Sequence, residues 1–179
     1  MTASASNLPL AVLDTSFWTN AYRAEVLANC FNLFQIVVPR AVESEILAPQ
    51  AGAPAREYPY ATLFRHLRGQ MLDPPTNAPA PLGMFGAGEA AAITLAQALD
   101  ASLLINERRA AAYAESLGIA IVTVPAVIVA LRLGGVISDR AARRKLELIE
   151  DNTAQELMAE ARRVLDRLAA DDDPNTDVS

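Results

Sequence analysis

The 179-residue chain holds one histidine, one lysine and one cysteine, and each scarcity excludes a chemistry. A lone Cys30 permits neither an internal disulfide nor a zinc site built from thiolates. His66 lies in a polar segment with Arg65 and Arg68. It leaves no pair for a two-histidine ribonuclease mechanism and no spare base for a Ser-His-Asp triad. Lys145, far along the chain in an Arg-rich stretch, offers no lysine near a plausible phosphate site. Long hydrophobic runs are also missing. The longest, Ile119 to Leu131, is too short for a bilayer and is broken by Pro125. Met1 to Asn7 carries no basic residue, so no signal peptide and no membrane association are expected, and a cytoplasmic location is.

The hydrophobic content of 52% fits a compact protein, and the length suits one domain with a real core. The net charge is -6, unevenly spread. Four of the 21 acids (Asp171, Asp172, Asp173 and Asp177) fall near the C-terminus, leaving 17 against 15 basic residues in the body. Acids gathered around a metal would leave the rest of that surface free to meet a phosphate backbone. The domain is expected to span residues 1–170, followed by an acidic, disordered tail over 171–179.

Strand-like apolar runs alternate with helical patterns, which predicts βαβ units and a parallel sheet covered on both faces. Strands are expected at residues 8–13, 34–38, 102–105 and 119–122. Helices are expected over Thr15 to Asn29, Pro39 to Leu47, Tyr60 to Arg68, Gly88 to Leu99 and Glu107 to Leu117, the last stopped by Gly118. Residues 48–59 and 73–83 read as loops, the second with four prolines. Pro125 starts a further helix that ends at Gly134-Gly135. Ser138 caps another, and Thr153 with Glu156 reads as a capping box for the last. The apolar stripe Leu157, Met158, Ala161, Val164, Leu165, Leu168 on that helix serves either the chain's own core or a dimer or partner interface.

Acids stand at the edges of the apolar runs. Asp14 closes Leu10-Ala11-Val12-Leu13, Glu45 lies in the segment from Val38-Pro39 to Leu47, and Glu89 follows Gly86-Ala87-Gly88. A later run, Ser102 to Ile105, delivers Asn106 where the pattern would supply another carboxylate. The residues Gly86-Ala87-Gly88-Glu89-Ala90-Ala91-Ala92-Ile93-Thr94-Leu95-Ala96, then Leu103 to Ala110 and Ala114 to Ile119, resemble a PIN domain. Val12 to Ser16, Val38 to Leu47 and Leu131 to Ile137 fit the same order, so the resemblance covers roughly residues 8–165.

The resemblance implies a three-layer α/β/α fold with a central parallel sheet and extra C-terminal helices. It also implies a metal-dependent endoribonuclease, plausible as the toxin of a toxin–antitoxin pair, with RNA as substrate, a cognate antitoxin and a homodimer as partners. The implied site is Asp14, Glu45, Glu89 and Asn106. The three acids would hold Mg²⁺ or Mn²⁺, with Arg108 and Thr123 as substrate contacts. Hard divalent cations prefer carboxylates and water and need neither histidine nor lysine, which suits this composition. Two departures stand out. Family members usually present Asp at position 106, whereas Asn offers one neutral carbonyl oxygen, which attenuates the site. Thr123-Val124 also replaces the polar pair expected before Pro125.

Other readings of the same residues remain open. Asp14 or Asn106 can N-cap a helix, and Glu89 can complement a helix dipole. Glu43 and Glu45 face roughly 200° apart on a helix, so only one can line the site, and the resemblance, through the family's spacing from Val38-Pro39, implies Glu45. Arg108 and Arg109, like the cluster Arg140, Arg143, Arg144 and Lys145, can be solvated helix faces. A catalytically inactive PIN-like module that binds nucleic acid or a partner is the alternative function. An aspartyl-phosphate enzyme would want a second Asp where Ser16 stands, and no dinucleotide fingerprint or P-loop is present.

Overall fold

A computed structural model describes residues 8–49, 57–76 and 83–171. Four short strands form a parallel sheet in the order β2-β1-β3-β4: β1 is Leu10–Leu13, β2 Gln35–Val37, β3 Ser102–Leu104 and β4 Ile121–Val122. Register runs Val12 against Val37 on one side and against Leu103 on the other, and Leu104 pairs with Val122. A parallel bridge from Val37 to Leu72 extends the sheet beyond β2. Ala11, Val12, Leu103 and Leu104 are fully buried. That is the signature of strands covered on both faces, and the fold is the α/β/α sandwich expected from the sequence.

The helices among the described residues are α1 (Thr15–Arg23), α2 (Leu27–Leu33), α3 (Arg40–Ile46), α4 (Pro59–Leu67), α5 (Ala87–Leu99), α6 (Arg108–Ser116), α7 (Val124–Leu133), α8 (Asp139–Glu147) and α9 (Gln155–Asp171). Phe17 and Trp18 of α1 are wholly buried, the indole edge-on to Phe64 of α4 at 5.0 Å between centroids. The Trp18 indole N–H donates to the Tyr60 carbonyl at 3.0 Å, so burying the ring strands no polar group. Burying aliphatic or aromatic side chains of this kind stabilises by roughly 1.5–3 kcal/mol each.

Where the first helix ends differs from expectation. In place of one helix over Thr15 to Asn29, the chain breaks after Arg23, with Glu25 left-handed at φ 57°. Val26 N–H donates to Ala21 O and Glu25 N–H to Tyr22 O, a Schellman closure made without glycine. Lys145 of α8 makes the closure tolerable: its ammonium donates to the carbonyls of Ala24 and Glu25, both at 3.0 Å. The only lysine is thus a cap on a distant helix, not part of a solvated cluster. Arg143 pairs with Asp139 and Asp166, while Arg140 and Arg144 are exposed.

Gly118 (φ 80°) and Gly135 (φ 68°) close α6 and α7 as their positions suggested. Ser138 caps α8 through Ala141 N–H. Met158, Ala161 and Leu165 of α9 are buried, and that helix packs on α7 and α8, so this half of the stripe serves the chain's own core, while Leu157, Val164 and Leu168 are half-buried. Asp171 ends α9 and so belongs to the helix rather than to a tail; residues 172–179 lie outside the described residues, as do 50–56 and 77–82 of the two expected loops.

Candidate functional site

Asp14 follows β1 directly. Its backbone N–H continues the ladder to Leu104 O at 2.9 Å, and its side chain caps α1. Both the N–H and the hydroxyl of Ser16 donate to Asp14 Oδ2, at 2.8 and 2.5 Å. The other oxygen, Oδ1, is buried and has no partner. With the residue only 1% exposed, burial pushes its pKa from the usual 3.8 up to about 6; the Ser16 bonds oppose that rise, and the charges of Glu89 and Glu45 add to it. A helix cap needs one oxygen. The second, desolvated and in the field of two other acids, is not explained by capping.

Glu45 reaches toward Asp14 from α3, and Glu89 from the first turn of α5. Thr15 Oγ1 donates to Glu45 Oε2 at 2.6 Å, and Gly88 N–H donates to Glu45 Oε1 at 2.7 Å. The Glu45 carboxylate therefore sits on the Gly88 N–H at the start of α5, where the helix dipole favours an anion. Glycine at 88 makes this approach possible, because a Cβ there would lie 2.2 Å from Glu45 Oε2. Glu43 points elsewhere on α3 and pairs with Arg68 at 3.2 Å, as the two-residue offset requires.

Asn106 follows β3 as Asp14 follows β1, but it is used differently. Its Oδ1 accepts from Val124 N–H at 3.2 Å, its Nδ2 donates to Thr153 Oγ1 at 3.1 Å, and its backbone N–H donates to Ser16 Oγ at 3.0 Å. The side chain stitches the start of α7 to the segment before α9. It does not cap α6; Glu107 does, accepting from Arg109 N–H and Ala110 N–H. Thr153 therefore serves Asn106, and α9 begins two residues later with no Thr153 capping box. Thr123 caps α7 through Ala126 N–H. Arg108 pairs with Glu156 at 3.3 Å on the surface.

The predicted residues thus fall into two groups. Asp14, Glu45 and Glu89 are coupled electrostatically. Asn106, Arg108 and Thr123 line a separate hollow between α6, β4 and α9, and Ser16 is the link between the groups. Residues the sequence reading passed over are Ser16 and Gly88, which hold Asp14 and Glu45, and Phe85, which shares a pocket with Glu89 and Arg109. Glycine two residues from another glycine before Glu89 was the only sequence signal for any of them.

Residues 10–169 match the family DUF3368, a PIN domain. The chain belongs to the PIN-domain family. No curated protein and no solved structure matches it at a significant level. The fold is accordingly the nuclease-like PIN fold, and no helix among the described residues is long and apolar enough to cross a membrane.

In this PIN domain the acids form an open, incomplete set of oxygen donors. Among the described residues no three acidic, histidine or cysteine side chains close on one point as a finished cage. The orphaned, buried Asp14 Oδ1 and the Glu89 carboxylate nevertheless offer oxygen ligands, and Glu45 adds negative charge beside them. That suits a small, hard cation that takes one or two carboxylates and keeps water and phosphate oxygens in its remaining positions. The donor set fits.

Proposed function

We propose that this PIN domain is a Mg²⁺- or Mn²⁺-dependent endoribonuclease that hydrolyses RNA phosphodiesters, with Asp14 and Glu89 as the principal metal ligands. The observation that carries the reading is the buried Asp14 oxygen without a partner, at the end of β1 and beside two further acids. A carboxylate desolvated in this way stays ionised at neutral pH most readily with a cation beside it. A divalent cation held there supplies a more acidic bound water and charge stabilisation at the phosphodiester.

The chain's own residues supply placement. Ser16 fixes Asp14 by its Oδ2, which keeps Oδ1 available. Thr15 and Gly88 hold the Glu45 carboxylate, whose remaining lone pairs orient the attacking water by accepting its hydrogen. Asn106 contributes no charge, and its two side-chain atoms are engaged, so position 106 acts as scaffold. The neutral residue there favours the second reading, a PIN-like module that binds nucleic acid or a partner without cutting.

The role in the cell that accompanies this activity is that of a toxin held by a cognate antitoxin, a step taken on family analogy. An antitoxin gene beside this one would support it. The test of activity is cleavage of a pool of single-stranded and structured RNA with Mg²⁺ or Mn²⁺, comparing the wild type, Asp14→Asn and wild type with EDTA. Cleavage abolished in both controls is expected. Cleavage that survives EDTA would sink the mechanism, and a folded, RNA-binding wild type that never cuts would establish the binding module instead.

A further inference from the structure

Met84, Phe85, Gly86, Glu89, Glu107 and Arg109 line an open pocket of about 310 Å³. Glu89, a proposed metal ligand, is part of that lining; the rest of it does no work in the mechanism above. There the Arg109 guanidinium lies over the Phe85 ring, 5.7 Å from its centroid, and Tyr113 backs that ring at 5.1 Å. Two acids line the same pocket, yet Arg109 forms no ion pair with either. Glu107 turns each of its oxygens to a backbone N–H at the start of α6 rather than to Arg109. An exposed arginine on a half-buried aromatic ring keeps its planar face and its charge available. Met84, 56% exposed, adds an apolar edge to the same opening.

We infer that the Arg109–Phe85 stack is a substrate subsite that takes an unpaired nucleobase of single-stranded RNA next to the phosphate being cut. The inference rests on the nuclease reading and deepens it. Splayed-out bases stack on aromatic rings and on guanidinium planes, and a base inside a duplex cannot present its face to either. A flat, cationic shelf beside Glu89 therefore selects for single strands and places a base where the neighbouring phosphate reaches the acids. A bare phosphate contact would need the charge of Arg109 but neither its plane nor Phe85.

Binding separates these alternatives without relying on activity. Labelled single-stranded and duplex oligoribonucleotides are titrated with Asp14→Asn protein in Mg²⁺, and anisotropy is read for that parent and for added Arg109→Ala, Arg109→Lys and Phe85→Ala. Melting curves confirm that each variant is folded; Arg109 is exposed, so its variants serve even if Phe85→Ala fails. Loss of one stacked base predicts single-strand affinity lower by roughly 5- to 150-fold in both alanine variants. Lysine is expected not to restore it, and the preference for single strands over duplex should shrink. Variants that bind as the parent does, or full rescue by lysine, would overturn the subsite while leaving the nuclease reading intact. A parent and wild type that bind no RNA would overturn both.

Discussion

Two strand ends lie side by side in this sheet, and they are finished in opposite ways. After β1 stands Asp14, charged, 1% exposed and with one oxygen unpartnered; after β3 stands Asn106, neutral, 6% exposed and with both side-chain atoms bonded. Burying an unpaired carboxylate oxygen is costly, whereas burying a satisfied amide is nearly free. The first arrangement persists against its cost and the second lowers the energy of the fold. Ser16 joins them, donating to Asp14 Oδ2 while accepting from Asn106 N–H. A position's place in the sheet therefore does not say whether it is reactive. Its hydrogen-bond ledger does.

Asp14→Asn breaks the comparison most sharply, because it makes both strand ends neutral. Cleavage should fall by more than the roughly 100-fold that loss of an outer-shell partner costs a metal site, measured as kcat/KM on a single-stranded substrate. The same change should stabilise the metal-free protein at neutral pH. The folded Asp14 has a pKa of about 6 against the usual 3.8, so its contribution is fully present below 3.8 and lost as pH rises through 6. The span is about 2 to 3 kcal/mol at most. Urea unfolding of metal-free wild type should therefore weaken between pH 4 and pH 7 relative to Asp14→Asn. Mg²⁺ or Mn²⁺ should raise the wild-type Tm above pH 6, with the increment fading at lower pH. Equal pH dependence in the two proteins would mean that Asp14 is not strained by burial.

Gly88→Ala probes the same side more gently. The new Cβ would fall 2.2 Å from Glu45 Oε2, but that atom ends a flexible side chain and can swing away. Glu45 then loses its bond from Gly88 N–H, worth about 1.5–3 kcal/mol for a charged acceptor. Alanine returns roughly 0.5–1 kcal/mol of helix stability. The expected result is a net loss of about 0.5–2.5 kcal/mol, a melting temperature lower by roughly 1–10 °C, with cleavage reduced about 10- to 100-fold, in the range of an outer-shell carboxylate. Unchanged cleavage would remove Glu45 from the site.

How much of this was legible in the sequence depends on how local each cause is. The run ending in Asp14, the closures at Gly118 and Gly135 and the Ser138 cap each depend on residues within a few positions, and each stands where the pattern placed it. The break at Glu25 was illegible because a non-glycine residue takes φ 57° there, supported by Lys145, 120 residues away. The use of Asn106 was illegible for the same reason: its partners Val124 and Thr153 lie 18 and 47 residues on. Capping explained part of Asp14, but the orphaned oxygen that separates a cap from a ligand is visible only once β3 and α3 close around it.

Asn106→Asp should move cleavage least and tests the comparison most directly, since it gives the second strand end the charge of the first. An aspartate can still accept from Val124 N–H with one oxygen. Thr153, now facing an acceptor where Asn106 Nδ2 donated, can turn its hydroxyl to donate to the other. Every bond keeps a counterpart, so the loss in unfolding free energy at neutral pH should be limited to the cost of burying one more hydrogen-bonded carboxylate, about 1–3 kcal/mol. Because both oxygens remain turned to α7 and Thr153, cleavage and the metal concentration for half-activity should move by no more than a few-fold. A tenfold or larger gain, with half-activity reached at correspondingly lower metal, would show that the added carboxylate leaves those partners for the cation. Position 106 would then be a ligand site that asparagine holds closed, and the two strand ends would differ by one atom rather than by design.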